Sequence, residues 1–281
     1  MSDSPEVRQN QYLIDRLLQD ARLYTTGKDY LDLLKFIVRL RNLAPFNAML
    51  LHIQKPGLTY ATSAKDWRDL FGRYPKEGAR PLLILWAFGP VALVYDIQDT
   101  EGTALPLDAF SFPAVGPVGK ADVAQALNGL SRKGIDTIWV DAGDGKAGQI
   151  TRLSWSKDSK LPSQYRVQLN QNHHPPVHLA TLAHELGHLA LGHLGEDTYL
   201  KVPDRRSAGH RMEELEAESV SYIVCGRHGV ETRSLTYLAP FLAGGESASI
   251  DVYRVSRAAG LVETWLGLAP KLGMDPAGRL R

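Results

Sequence analysis

The residues best suited to chemistry in this chain are His184-Glu185-Leu186-Gly187-His188. On a helix, positions i and i+4 lie on one face, a turn apart. Two imidazoles so placed can share one divalent ion, at the roughly 2.0–2.1 Å of a zinc–nitrogen bond. Glu185 stands one position round from His184, beside such an ion rather than on it. A carboxylate there can accept a proton from activated water. Leu179, Ala180, Leu182 and Ala183 precede the motif, and Leu189, Ala190 and Leu191 follow it. These flanks are too apolar for a solvated helix face, so the motif is expected inside a packed protein.

A catalytic zinc site wants a third protein ligand. His193 follows His188 by five positions, and Gly192 by four, so the metzincin spacing His-Glu-x-x-His-x-x-Gly-x-x-His is not met. His193 is expected instead at the carbonyl end of the motif helix, where a cation is favoured. The better source is Glu213-Glu214-Leu215-Glu216-Ala217-Glu218. Glu214 and Glu218 share a helix face, so one carboxylate can bind the ion while the other hydrogen-bonds the outer nitrogen of a ligand histidine. Glu214 is the expected donor, with Glu216 and Glu213 as alternatives. Such a run is usually a solvated acidic face; Val220, Ile223 and Val224 argue that this helix is packed on one side. His210, one turn before Glu214, and Tyr222 are candidates to stabilise a developing oxyanion.

The elements that must carry these residues follow from periodicity and breakers. Helices are expected over 5–25, 29–43, 46–53, a short stretch capped by Ser63 and carrying Trp67, Leu70 and Phe71, and 121–131. Residues 81–88 and 91–97 read as a β-hairpin around Gly89-Pro90. Residues 135–140, 150–155 and 165–170 read as strands, and 141–148 as a turn. An edge strand at 165–170 could pair with an extended peptide; an interior strand is the competing reading. After Pro175-Pro176 the pattern turns helical over 177–193, 213–225 and 239–266, with Gly226 expected just past the second helix and a loose tail after Pro270. The Pro- and Gly-rich stretch 103–119 suggests a domain boundary near its end. The expected fold class is α+β.

Composition narrows the function classes. The chain has 281 residues, 44% apolar and 22% charged, with a formal net charge of +1. It is therefore no polyanion binder by bulk charge. One cysteine, Cys225, excludes an intrachain disulfide. No run of about 18 apolar residues is present to cross a membrane. A cytoplasmic setting is expected.

The motif residues support a resemblance. His184-Glu185-Leu186-Gly187-His188-Leu189-Ala190-Leu191-Gly192-His193 with Glu214-x-x-Ala217-Glu218 resembles the ImmA/IrrE metallopeptidases, of gluzincin type, and the related C-terminal domain of ArdC-type antirestriction proteins. The resemblance implies Zn2+ held by His184, His188 and Glu214, with Glu185 as catalytic base. It implies a zincin-like domain over 120–281, with a small sheet and a protein substrate, a regulatory or DNA-associated one. Asn47-Ala48-Met49-Leu50-Leu51, the segments 67–73 and 76–81, and 94–100 resemble the ArdC-type single-stranded-DNA-binding domain, which implies such a domain over 1–119. The candidate DNA contacts are Arg68, Arg73, Lys76, Arg80 and Trp67, with Arg39, Arg41, Lys65, Phe71, Tyr74 and Trp86 nearby in sequence. Basic side chains follow phosphates and aromatics stack on unpaired bases. Two functions stand at this stage: a zinc peptidase, and a DNA-binding protective factor in which the metal is mainly structural.

Overall fold

The computed structural model describes residues 24, 26–86, 89–104, 118–142, 147–158, 160–232, 234, 238 and 250–269. The expected helix over 5–25, the segment 239–249 and the tail after Pro270 lie outside the described residues.

The first elements among the described residues are α1 (Gly27–Arg39), whose N-cap Thr26 accepts a hydrogen bond from the Asp29 amide, and α2 (Pro45–Gln54), started by proline. Tyr30, Leu33, Leu34 and Ile37 recur at helical spacing and are buried, which fixes the inward face of α1. A two-residue strand β1 (Ala61–Thr62) leads to α3 (Ala64–Phe71), capped by the Ser63 side chain on the Asp66 amide. Then come β2 (Arg73–Pro75), β3 (Leu82–Trp86), β4 (Gly89–Asp96) and β5 (Thr100–Gly102). β3 and β4 form the expected antiparallel hairpin, with β1 added beside β4. β2 and β5 pair separately. These strands of two or three residues fall below what alternation can reveal in sequence.

The second half contains α4 (Lys120–Ser131), β6 (Ile135–Val140), β7 (Gly148–Ser154), β8 (Gln164–Asn170), α5 (Pro175–Leu191), α6 (His210–Arg227) and α7 (Val252–Leu266). The sheet order is β6-β8-β7, with β6 parallel and β7 antiparallel to β8. The strand at 164–170 is therefore interior, which corrects the edge-strand reading, and the edge beside it is β7. α6 also runs past the expected stop at Gly226, to Arg227. Gly226 is there for close packing: a Cβ on it would come within 2.9 Å of Val38 on α1.

One apolar cluster joins these elements, from Tyr30 and Leu33 through Leu182 and Leu186 to Val262 and Trp265. It crosses residue 119, because α1 packs on α6 and α2 packs on α7. The fold is α+β, with the motif helix α5 packed between the β6-β8-β7 sheet and α6 and α7.

Candidate metal centre

α5 begins with Pro175-Pro176, which suit a first turn that has no use for amide donors, and ends at Gly192 in the left-handed region (φ 84°). Leu179, Leu182, Ala183, Leu186, Leu189 and Ala190 bury its apolar side. α6 crosses it at Gly187, where an added Cβ would lie 3.3 Å from the Ala217 carbonyl oxygen and from Val220 Cβ. The glycine inside the motif thus lets α6 come close enough to bring Glu214 to the two histidines.

The three donor atoms converge. His184 Nε2 and His188 Nε2 are 3.2 Å apart. Glu214 stands 3.5 Å from each, Oε2 toward His184 and Oε1 toward His188. Ligands about 2.0–2.1 Å from a tetrahedral ion are separated by about 3.3 Å, so these edges match the spacing such an ion demands. The His184 and Glu214 side chains are each 22% exposed, so the cluster is reachable from outside.

The electrostatics favour a cation here. Where protons are the only cations present, burial opposes charge on His184. Hydrogen bonds to Glu214 and Glu218 and the negative charge of Glu185 outweigh it, raising the imidazole pKa to about 10. His188 is driven down, by burial first and then by the positive charge of His184. Its hydrogen bond to His184 holds Glu214 below the usual carboxylate range, against burial. Burial pushes Glu218 up, but hydrogen bonds to His184 and Ser234 leave it below that range.

The surrounding groups take distinct places. Glu218 accepts from His184 Nδ1 at 3.0 Å, leaving Nε2 to the cluster. Glu185 accepts the Ile150 amide at 2.8 Å, which ties its Oε2 to edge strand β7. His210 Nδ1 lies 3.7 Å from Glu214, with its side chain 86% exposed at the lip of the site. Tyr222 sits one turn past Glu218, half-buried, its phenol pushed up by burial.

His193 is not an exposed decoration of the helix end. Its Nδ1 is 3.0 Å from His188 Nδ1 and its Nε2 is 3.0 Å from Glu216 Oε2. Glu216 in turn receives both terminal nitrogens of Arg205, at 2.7 and 2.9 Å. Arg205 was missed as a site residue because it sits in the connection between the metal helices, which shows no periodicity. The signal that could have found it is Glu216, which falls on the apolar stripe of Val220, Ile223 and Val224 and so requires a counter-charge there.

Two of the candidate DNA contacts, Trp67 and Arg73, are engaged in building the fold, and Arg68, Lys76 and Arg80 are exposed. Trp67 is 0% exposed, and its indole N–H donates to the Tyr95 carbonyl while its ring packs against Tyr60 and Phe71. It has no face to offer a base, which corrects its reading as a stacking residue. Arg73 donates to Thr100 Oγ1 and to the carbonyls of Thr100 and Thr103, pinning β2 to β5. Arg68 pairs with Asp69, and Lys76 donates to the Gln98 carbonyl. Arg80 is exposed. Trp86's side chain lies outside the described residues. No helix among the described residues is long and apolar enough to cross a membrane.

No curated protein matches the chain. Among solved structures it is similar to the antirestriction protein ArdC from plasmid R388. The metal-free form aligns with a TM-score of 0.38 at 16% identity, over 79% of this chain and 83% of that one. The Mn(II)-bound form aligns with a TM-score of 0.42 at 16% identity, over 92% and 97%. Residues 137–218 match the Peptidase_M78 family model, the IrrE N-terminal-like domain, and this span contains His184, Glu185, His188 and Glu214.

Proposed function

We propose that this chain is a zinc-dependent endopeptidase in which His184, His188 and Glu214 hold the ion and Glu185 is the general base. The observation that carries the reading is the set of three donor edges of 3.2–3.5 Å among His184, His188 and Glu214, with the Glu185 carboxylate, outside that set, on the same helix as the histidines. A zinc ion supplies Lewis acidity, polarising a peptide carbonyl and acidifying water. Glu185 takes the proton of the attacking water and delivers it to the leaving amine nitrogen. Its Oε2 is held by the Ile150 amide, so the carboxylate is oriented before substrate arrives. A purely structural metal site needs ligands but no such base.

The same contact supports a peptide as substrate. Alternate residues of a strand turn their amides and carbonyls to opposite sides. Ile150 turns its amide away from β8 toward Glu185, so Gly148 and Arg152 share that outward side. An extended peptide laid along the free edge of β7 would run past the base and the metal cluster. A segment of a regulatory or DNA-associated protein is the proposed substrate class. His210 and Tyr222 remain the candidates for the oxyanion. Trp67 and Arg73 are held by contacts within the fold, whereas Arg68, Lys76 and Arg80 are exposed, so single-stranded-DNA binding by the first half of the chain stands as the competing reading.

The test is Glu185→Gln. The variant is expected to bind one zinc per chain with wild-type affinity and to lose at least about 100-fold in peptide-bond hydrolysis, the usual worth of a positioned base. Wild-type hydrolysis by a zinc-loaded variant would refute the assignment.

A further inference from the structure

We infer that His193, Glu216 and Arg205 are positioning residues that fix which nitrogen of His188 faces the metal. The inference rests on the metal-site reading above and adds three side chains to it.

The argument is one of hydrogen-bond polarity. His188 Nδ1 and His193 Nδ1 lie 3.0 Å apart, so one must carry the proton and the other the lone pair. The far end of the chain decides which. The Glu216 carboxylate only accepts, so His193 Nε2, 3.0 Å from Oε2, is the donor there. With its proton on Nε2, the His193 ring presents a lone pair on Nδ1 and accepts the His188 Nδ1 proton. That leaves the His188 lone pair on Nε2, the atom 3.2 Å from His184 Nε2 and 3.5 Å from Glu214 Oε1. The opposite polarity would put the proton on Nε2 and close it to a metal.

The carboxylate that sets this direction is itself fixed. Arg205 binds it through both oxygens, at 2.7 and 2.9 Å, and its own amide donates to the Gly192 carbonyl at 3.0 Å. The His193 side chain is 2% exposed and that of Glu216 1%, so both lie out of bulk solvent. Left-handed Gly192 turns His193 back toward His188, with the His193 amide on the His188 carbonyl at 3.0 Å. This is why a histidine five places on, wrong for a metzincin ligand, still serves the same ion.

The test is Zn2+ affinity of the full chain, by competition with a chromophoric chelator, for wild type, H193F, H193Q and R205Q. A glutamine at 193 can accept through its carbonyl and donate through its amide in the same order, whereas phenylalanine can do neither. H193F is expected to bind zinc 10–100-fold more weakly, the usual effect of removing such a partner, with H193Q about tenfold or more closer to wild type. R205Q, at a side chain 19% exposed, is expected to weaken zinc in the same direction even should H193F fail to fold. A nitrogen-15 spectrum of the histidine rings, taken without added metal, is expected to place the His188 proton on Nδ1 in wild type and H193Q and to lose that preference in H193F. Equal zinc affinities for wild type, H193F and R205Q would overturn the inference while leaving the metal site standing. A wild-type chain that takes up no zinc would overturn both.

Discussion

Arg227 gives the most demanding stability prediction. It ends α6, is 2% exposed at its side chain, and is met by Glu263 of α7, 1% exposed, at 2.6 Å. Its terminal nitrogens donate to the carbonyls of Ile37, Leu40 and Leu43 at 3.0, 3.0 and 2.8 Å, where α1 ends. One guanidinium thus ties the end of α1 to the helices on the far side of the expected boundary at 119. Arg227→Met keeps much of the volume but leaves a buried carboxylate with His228 Nε2, at 3.3 Å, as its side-chain partner among the described residues, and four carbonyls without this donor. Removing one partner of a buried pair costs about 3–5 kcal/mol, out of the roughly 5–15 kcal/mol that holds a typical protein folded. At about 2–4 °C per kcal/mol, the midpoint of thermal unfolding followed by circular dichroism should fall by about 6–20 °C. The double variant R227M/E263M removes the stranded charge as well and should recover at least about 2 kcal/mol over R227M. A single variant within about 1 kcal/mol of wild type, or a double variant less stable than the single, would refute the reasoning.

Two further outcomes follow from burial. Burial pushes the Cys225 thiol up to about 12, against the hydrogen bond to Ser221 that lowers it. An unfolded thiol ionises near about 8.5, so this group's contribution to stability is complete below that pH and erodes as pH rises toward 12. At pH 8 the native protein should resist a thiol reagent that labels the denatured chain within minutes; rapid native labelling would contradict the burial. Trp67→Ala should cost about 3–5 kcal/mol in denaturant unfolding. A variant that keeps wild-type stability but loses affinity for a single-stranded oligonucleotide would restore the stacking role denied to Trp67 above.

How much was legible in the sequence depended on how local the determining contact was. Residues 135–140 read directly as a strand, and Ser63 as a helix cap, because alternation and capping are properties of adjacent residues. His184, Glu185 and His188 were legible for the same reason: one helical turn sets their geometry. Glu214 and Glu218 were legible from their i, i+4 spacing, although that spacing does not say what the helix faces. The position of β8 was not legible, because an interior and an edge strand of seven residues look alike until the partner β7 is known. Arg73 and Trp67 carried residue types suited to DNA, yet their partners Thr100, Thr103 and Tyr95 lie about 30 residues away and turn them into fold contacts. Helix α6 outran its expected end because the partner of Gly226 is Val38, on α1 and far away in sequence.

The two histidines proposed as ligands are secured in different ways, and the charge around the site gives a reason. Glu218 hydrogen-bonds His184 directly, so with Glu214 and Glu185 it brings the carboxylates facing the cluster to three. Those three already outweigh the charge of a divalent ion, and a fourth placed directly on His188 would enlarge the excess, in a partly buried site where like charges repel strongly. Interposing His193 moves that fourth carboxylate, Glu216, one imidazole farther out, and Arg205 cancels its charge there. His188 still receives the acceptor that orients it, an imidazole in place of a carboxylate. On this argument Arg205 and Glu216 should be replaceable only as a pair: Glu216→Leu removes the acceptor that orients His193 and strands the Arg205 charge, whereas E216L/R205M removes that charge as well and should bind zinc more tightly than E216L alone.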